Sequence, residues 1–197
     1  MSGVEVPRDE VSGLLADAAP QPASRDTVLA WLDQVMDPEV PVVSVVDLGI
    51  VRDMCWQFDG PDGALATLVV TVTPTYSGCP ATAVIAQSIK DELLAHGIAL
   101  VKVHTQLSPA WTTDWMTTKG RDALRRYGIA PPMQPGVGGG AAQPIDIGGL
   151  RARRGAVPCP QCGSHTTHLV SQFGSTACKA LYQCRDCLEP FDYFKPH

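Results

Sequence analysis

Long apolar runs are missing from this sequence, and so is any excess of positive charge. No stretch reaches the roughly 20 consecutive apolar residues of a membrane-spanning helix, so a transmembrane class is excluded. The opening residues MSGVEVPRDE carry acids and a proline where a secretory leader has a basic region and an apolar block, and the expected location is the cytoplasm. Fifteen Lys and Arg stand against twenty Asp and Glu, a net charge of -5 over 197 residues. That balance offers little to neutralise phosphates, which argues against a nucleic-acid partner. The short basic run from Arg151 to Arg154 reads as a solvated spacer that keeps two lobes apart. There is no G-x-S-x-G elbow and no flavin or nucleotide glycine fingerprint, so the chain shows no enzyme signature of those kinds.

What is present is a soluble globular composition, 45% apolar and 18% charged, with room for one main core and a small satellite. Residues 1–23 read as an N-terminal arm without a sustained period. Ser24 is placed to cap a helix carrying Val28, Trp31, Leu32, Val35 and Met36 toward Pro38. Ile50 to Phe58 and Leu65 to Thr73 predict an antiparallel hairpin, with the second strand apolar on both faces. A helix from Pro80 to His96 stops at Gly97, an alternating strand follows from Ala99 to Leu107, and a short helix ends at Gly128. The order α-β-β-α-β-α predicts an α+β domain over 24–132, helices on a small mixed sheet. Residues 133–156, rich in Gly and Pro, predict a flexible linker.

The remaining segment, 157–197, contains five of the seven cysteines. In a reducing compartment that crowding points to a metal sooner than to disulfides. Cys159-Pro160-Gln161-Cys162 and Cys184-Arg185-Asp186-Cys187 are two C-x-x-C turns, whose sulfurs together supply the tetrahedral four-thiolate shell of zinc. A β zinc ribbon is expected, with strands from His168 to Phe173 and Thr176 to Gln183 meeting at Gly174-Ser175. Four thiolates leave no open position, so the metal is structural. An iron–sulfur cluster could use the same four residues, and spacing does not separate the two. Cys178 shares a strand face with Ala180, Tyr182 and Cys184 and reads as a packing thiol, with a spare-ligand role left open. His165, His168 and His104 read as surface residues, and Cys55 as plain core.

Cys79 precedes Pro80 where the chain enters a helix, so it is expected at the N-cap, where the helix dipole lowers a thiol pKa. A small capping residue and a poised thiol, nucleophile or metal ligand, fit that position equally, and no general base is evident. Trp111-Thr112-Thr113-Asp114-Trp115-Met116 reads either as core and helix entry or as a partner-anchoring patch.

Several motifs in one order carry a resemblance. Asp37-Pro38-Glu39, Asp47-Leu48-Gly49-Ile50-Val51 and Gly78-Cys79-Pro80 resemble the iron–sulfur cluster assembly domain family that includes SufT. Trp111 to Met116, Tyr127-Gly128-Ile129-Ala130-Pro131-Pro132 and Phe173-Gly174-Ser175-Thr176-Ala177-Cys178-Lys179-Ala180 narrow it to the PaaD family, the accessory D subunits of bacterial phenylacetyl-CoA epoxidase. The resemblance implies a non-enzymatic accessory protein of aerobic phenylacetate catabolism that helps mature a di-iron oxygenase by iron or cluster delivery. It also implies partners among the oxygenase and reductase subunits, with self-association open. On this sequence Cys79 matches the family's candidate iron or cluster ligand, Asp37 and Glu39 match its acidic motif, and Cys178 belongs to the tail pattern without an assigned role. The other classes in view are a thiol enzyme using Cys79 and a zinc-ribbon scaffold in the assembled complex.

Overall fold

The computed structural model describes residues 22–60, 65–133 and 157–196. Most of the expected N-terminal arm and of the 133–156 linker, with the Arg151–Arg154 run, lies outside the described residues.

Helix α1 (Arg25–Leu32) starts where Ser24 Oγ accepts from the Thr27 N–H at 3.2 Å, and it buries Val28 and Leu32. It is shorter than its apolar period predicts. Val35 and Met36 continue the spacing beyond it, but they leave the helix for a turn-rich segment in which Met36 bridges Ser44. That segment is held by its apolar residues, with Val40, Val43, Val45 and Leu48 all fully buried. Gly49 then turns the chain at φ +67°, and a Cβ there would collide with the Trp115 carbonyl. Only glycine allows that approach.

Strands β1 (Val51–Asp59) and β2 (Leu65–Val72) form the expected antiparallel hairpin. Strand β3 (Leu100–Thr105) adds to β2 in parallel, giving a mixed sheet of order β1-β2-β3. Helix α2 (Thr82–Ala95) is the crossover a parallel pair requires. It buries Ile85, Ile89 and Leu93, one stripe at i, i+4 and i+8, while Val84 is exposed. On β2 the alternate residues Leu68, Val70 and Val72 are buried whereas Val69 and Thr71 are only half covered, so the strand is not sealed on both faces. Cys55, expected in the core, is exposed on the edge strand β1.

The tryptophan-rich stretch is core and helix entry. Trp111 and Met116 are buried, and Trp111 Nε1 donates to the Leu48 carbonyl at 2.9 Å. Helix α3 (Thr118–Tyr127) is capped by Thr117 and ends at Gly128 in the left-handed region. Asp47, the first residue of the Asp47-Leu48-Gly49 motif, anchors its start: the Asp47 carbonyl accepts from Thr117 N–H at 2.9 Å and its carboxylate from the Thr117 hydroxyl at 2.7 Å. The motif acid is therefore structural.

The C-terminal segment forms an antiparallel sheet of β4 (Thr167–Ser171), β5 (Lys179–Cys184) and β6 (Pro190–Phe194), in that order. Its apolar cluster contains Val157, Ala180, Tyr182, Phe191 and Tyr193. The two lobes are not held apart. Ala130 pairs with β6 as an extra strand residue, donating to the Asp192 carbonyl at 2.8 Å and accepting from Phe194 N–H at 2.9 Å. Phe194 and Cys178 belong to the core of the first lobe, with the Phe194 ring 6.1 Å from that of Trp111. Burying a phenylalanine contributes about 1.5–3 kcal/mol, so Phe194 alone ties the ribbon down firmly.

Candidate metal centre and the thiols at the lobe junction

Each C-x-x-C turn is closed by the same backbone pattern. Cys159 N–H donates to the Ser164 carbonyl at 2.8 Å and Cys184 N–H to the Glu189 carbonyl at 3.0 Å, an offset of five residues in both. The residue after each second cysteine, Gly163 and Leu188, is left-handed at φ +76° and +64°. The turns face each other, and the Ser164 hydroxyl donates to the Asp186 carboxylate across them.

Cys159, Cys162, Cys184 and Cys187 bring their sulfurs within 4.8 Å of one another. Cys159 to Cys187 is 3.7 Å and Cys162 to Cys184 is 3.6 Å. A tetrahedral ion with metal–sulfur bonds of about 2.3 Å has sulfur–sulfur edges of about 3.8 Å, so the four donors fit such an ion. The electrostatics agree. The backbone N–H of Cys187 helps hold the Cys184 thiol down at about 7. For Cys187 the N–H of Glu189 pulls the same way, but desolvation and three neighbouring thiols outweigh it and push that thiol up to about 12. A set this crowded ionises fully only around a cation. His165 is exposed and His168 half-buried, and neither joins the four sulfurs.

The other sequence-derived candidates gather where the lobes meet. Asp37 is buried and its Oδ1 accepts from the N–H groups of Glu39 and Val40 at 2.8 and 2.9 Å, which fixes the acidic turn. Burial pushes the Asp37 carboxyl upward against those bonds. Glu39 points to the ribbon: the Cys178 thiol donates to its Oε2 at 3.8 Å, and Lys179 Nζ donates to its carbonyl at 3.4 Å.

Cys79 corrects two expectations. It is not the N-cap of α2; the cap is Ala81, without a side-chain bond, and the helix begins at Thr82. The Cys79 carbonyl instead accepts from the Thr82 hydroxyl at 2.9 Å in the turn before it. Its thiol pKa is raised, not lowered, because desolvation and the charges of Glu39 and Asp37 outweigh the Ala81 N–H and the Thr82 hydroxyl. Cys178 is raised too, by burial and by Glu39, against the Thr176 hydroxyl and Lys179. Tyr76 sits within electrostatic reach of Cys79, Glu39 and Cys178 together. Sequence spacing does not reveal that the segments holding Glu39, Tyr76 and Thr176–Lys179 meet, since 37 and 100 residues separate one from the next. His104 is exposed on β3.

Two family models match the chain: an iron–sulfur cluster assembly protein model over residues 25–103 and a PaaD zinc beta ribbon domain model over residues 146–195. Over 168 residues the chain is 46% identical to the Escherichia coli (strain K12) protein named as the D subunit of a "Putative 1,2-phenylacetyl-CoA epoxidase", spanning 85% of this chain and 90% of that one. It is 32% identical over 103 residues to the "Fe-S protein maturation auxiliary factor YitW" of Bacillus subtilis (strain 168), covering 52% of this chain and 94% of the relative. A solved domain of unknown function, DUF59, from Bacillus anthracis is 28% identical and covers 50% of this chain and 89% of its own, at a TM-score of 0.44. With both modules matched in order and 46% identity across 85% of its length, the chain belongs to the family of phenylacetyl-CoA epoxidase D subunits, PaaD.

Proposed function

We propose that this protein is a non-catalytic maturation factor for a phenylacetyl-CoA epoxidase, built from an assembly-type α+β module over 24–132, a linker over 133–156 and a zinc ribbon over 157–197. Cys159, Cys162, Cys184 and Cys187 hold one zinc ion whose role is to fold and fix the ribbon, since a four-thiolate shell has no open position for a substrate. Iron or an iron–sulfur cluster is the cargo, handled at Cys79 beside Asp37 and Glu39. The client is the oxygenase or reductase component of the epoxidase in aerobic phenylacetate catabolism.

The observation that carries this reading is a half-buried Cys79 thiol on which the charges of the Asp37–Glu39 turn act, in a chain whose relatives are named as an epoxidase component and a maturation factor. The thiol-enzyme alternative has less support. A nucleophilic cysteine needs a depressed pKa or an adjacent base, and Cys79 is pushed upward by burial and by the charges of Glu39 and Asp37 while His104 lies exposed on β3.

The test compares epoxidase made with and without this protein. Enzyme from deletion cells should be poor in iron, and adding purified protein to iron-replete complex should leave NADPH consumption under saturating phenylacetyl-CoA unchanged. A stoichiometric, saturating rise in turnover would instead place the protein in the catalytic cycle.

A further inference from the structure

The four ribbon sulfurs form one shell but not four equal positions. Cys159 and Cys184, the first cysteine of each C-x-x-C turn, are 2% and 0% exposed, while Cys162 and Cys187, the second of each, are exposed. Both turns repeat this asymmetry. Backbone donors follow it at the second turn: the Cys184 sulfur accepts from the N–H groups of Asp186, at 3.4 Å, and of Cys187. The Cys187 and Cys162 sulfurs accept from one backbone N–H each, those of Glu189 and Ser164. An N–H bond draws charge off a thiolate, so Cys187 keeps more of its nucleophilicity than Cys184 and meets solvent with it.

The sulfurs also pair regularly. The separations of 3.7 Å and 3.6 Å join Cys187 to Cys159 and Cys162 to Cys184, so each exposed thiol has a buried one from the other turn beside it. An oxidant arriving from solvent meets the exposed member first, and the buried member is in position to react with the product. Cys178 takes no part. It precedes β5, which ends at Cys184, and at about 3.3 Å per residue the two lie roughly 20 Å apart along the chain.

We propose that Cys162 and Cys187 are oxidation sites at which hydrogen peroxide opens the ribbon shell, each resolved by its buried neighbour on the opposite turn. The proposal rests on the reading that the four thiols hold zinc. In the first step the exposed thiolate attacks one peroxide oxygen: the S–O bond forms, the O–O bond breaks, and hydroxide leaves and takes a proton from solvent. The thiolate of Cys159 or Cys184 then attacks the sulfenic sulfur of its neighbour, so that an S–S bond forms, the S–O bond breaks and a second hydroxide leaves as water. Two sulfurs have given up two electrons and peroxide has become two waters. The shell is left with two thiolates of four, too few to retain a structural ion. The effect reaches the junction, because β6 starts three residues after Cys187 and carries Phe194 into the first lobe's core.

Hydrogen peroxide added at neutral pH to the full-length, zinc-loaded protein tests this. A zinc-chelating dye should report about one zinc released per peroxide consumed, and dithiothreitol with added zinc should restore the bound ion. Dimedone present during oxidation should label Cys162 and Cys187 ahead of Cys159 and Cys184. Without dimedone, peptide mapping should find Cys159–Cys187 or Cys162–Cys184 disulfides. Cys55→Ser, which removes the exposed thiol of β1, should leave the release unchanged, since the shell needs no outside cysteine. Hydrogen exchange at the Ala130 and Phe194 amides, which bond across the junction, should accelerate once zinc is lost, and unchanged exchange removes the link to docking. Zinc retained under peroxide that has oxidised Cys55, release that depends on Cys55, earlier labelling at Cys159 or Cys184, or disulfides within one C-x-x-C turn overturn this inference and leave the zinc ribbon standing. A protein that holds no zinc before treatment overturns both.

Discussion

The ribbon shell and the lobe junction both gather cysteines, and they do it by opposite means. In the ribbon, two local turns each deliver a pair of sulfurs, the backbone pattern repeats, and the four donors stand within 4.8 Å before anything binds. At the junction Glu39, Cys79 and Cys178 come from three distant segments, their thiols are raised in pKa by burial and carboxylates, and no repeat organises them. The first arrangement suits permanent retention of a metal. The second depends on docking between the lobes and not on local spacing.

The largest expected effect comes from breaking the local side. Cys187→Ser should take zinc from about one per chain to near none and unfold the ribbon, because structural zinc supplies about 10–16 kcal/mol of apparent binding free energy to folding. Elemental analysis with proton NMR of the tail checks this, and well-folded protein lacking both zinc and iron–sulfur would remove the ribbon assignment. Next is the docking itself. Phe194→Ala should cost about 3–5 kcal/mol in denaturant unfolding while the ribbon keeps its zinc, since the ring belongs to the first lobe's core and not to the apolar cluster that holds Cys159 and Cys184. A loss below about 1 kcal/mol would mean that the lobes hold each other only weakly.

Thiol reactivity sharpens the comparison on the junction side. With its pKa raised above the ordinary 9.0, Cys79 carries less thiolate at neutral pH than a free cysteine. Its alkylation should therefore be slow at pH 7 and accelerate only as pH climbs past 9. Removing the Glu39 charge by Glu39→Gln lowers that pKa and should speed the reaction at fixed pH, as mass spectrometry of labelled peptides would report. An unchanged rate would mean that Glu39 does not act on Cys79. Cys79→Ala itself should leave stability within about 1 kcal/mol, since the side chain caps no helix, while growth on phenylacetate is lost. The smallest effect belongs to Leu188, a left-handed leucine whose side chain is 68% exposed. Leu188→Gly should stabilise the ribbon by roughly 1 kcal/mol, read as a higher unfolding midpoint, because the backbone strain of the side chain disappears with little packing lost.

Much of this protein was legible along the chain. Ser24, Gly97 and Gly128 mark helix ends by capping chemistry that acts over a few residues, and the C-x-x-C turns announce their ligands at fixed spacing. The errors lie where distant contacts decide. The period continuing through Val35 and Met36 suggested a longer α1, but burial of the turn-rich segment after it outweighs helical propensity. Cys55 carries an apolar side chain on an edge strand, where only neighbours from elsewhere could cover it, and among the described residues none does. The upward sign of the Cys79 shift has the same origin, because it comes from tertiary burial first and then from Glu39 and Asp37, about forty residues away.

By itself the sequence determined the α+β elements, the four-thiol set and the family motifs, all of which depend on short-range spacing or on composition. Only the tertiary structure decided that Ala130 completes the ribbon sheet, that Phe194 and Cys178 enter the first lobe's core, and that Glu39 meets a ribbon thiol. Those contacts join residues 63 to 139 positions apart, where local propensity carries no information and burial of apolar surface selects the partner.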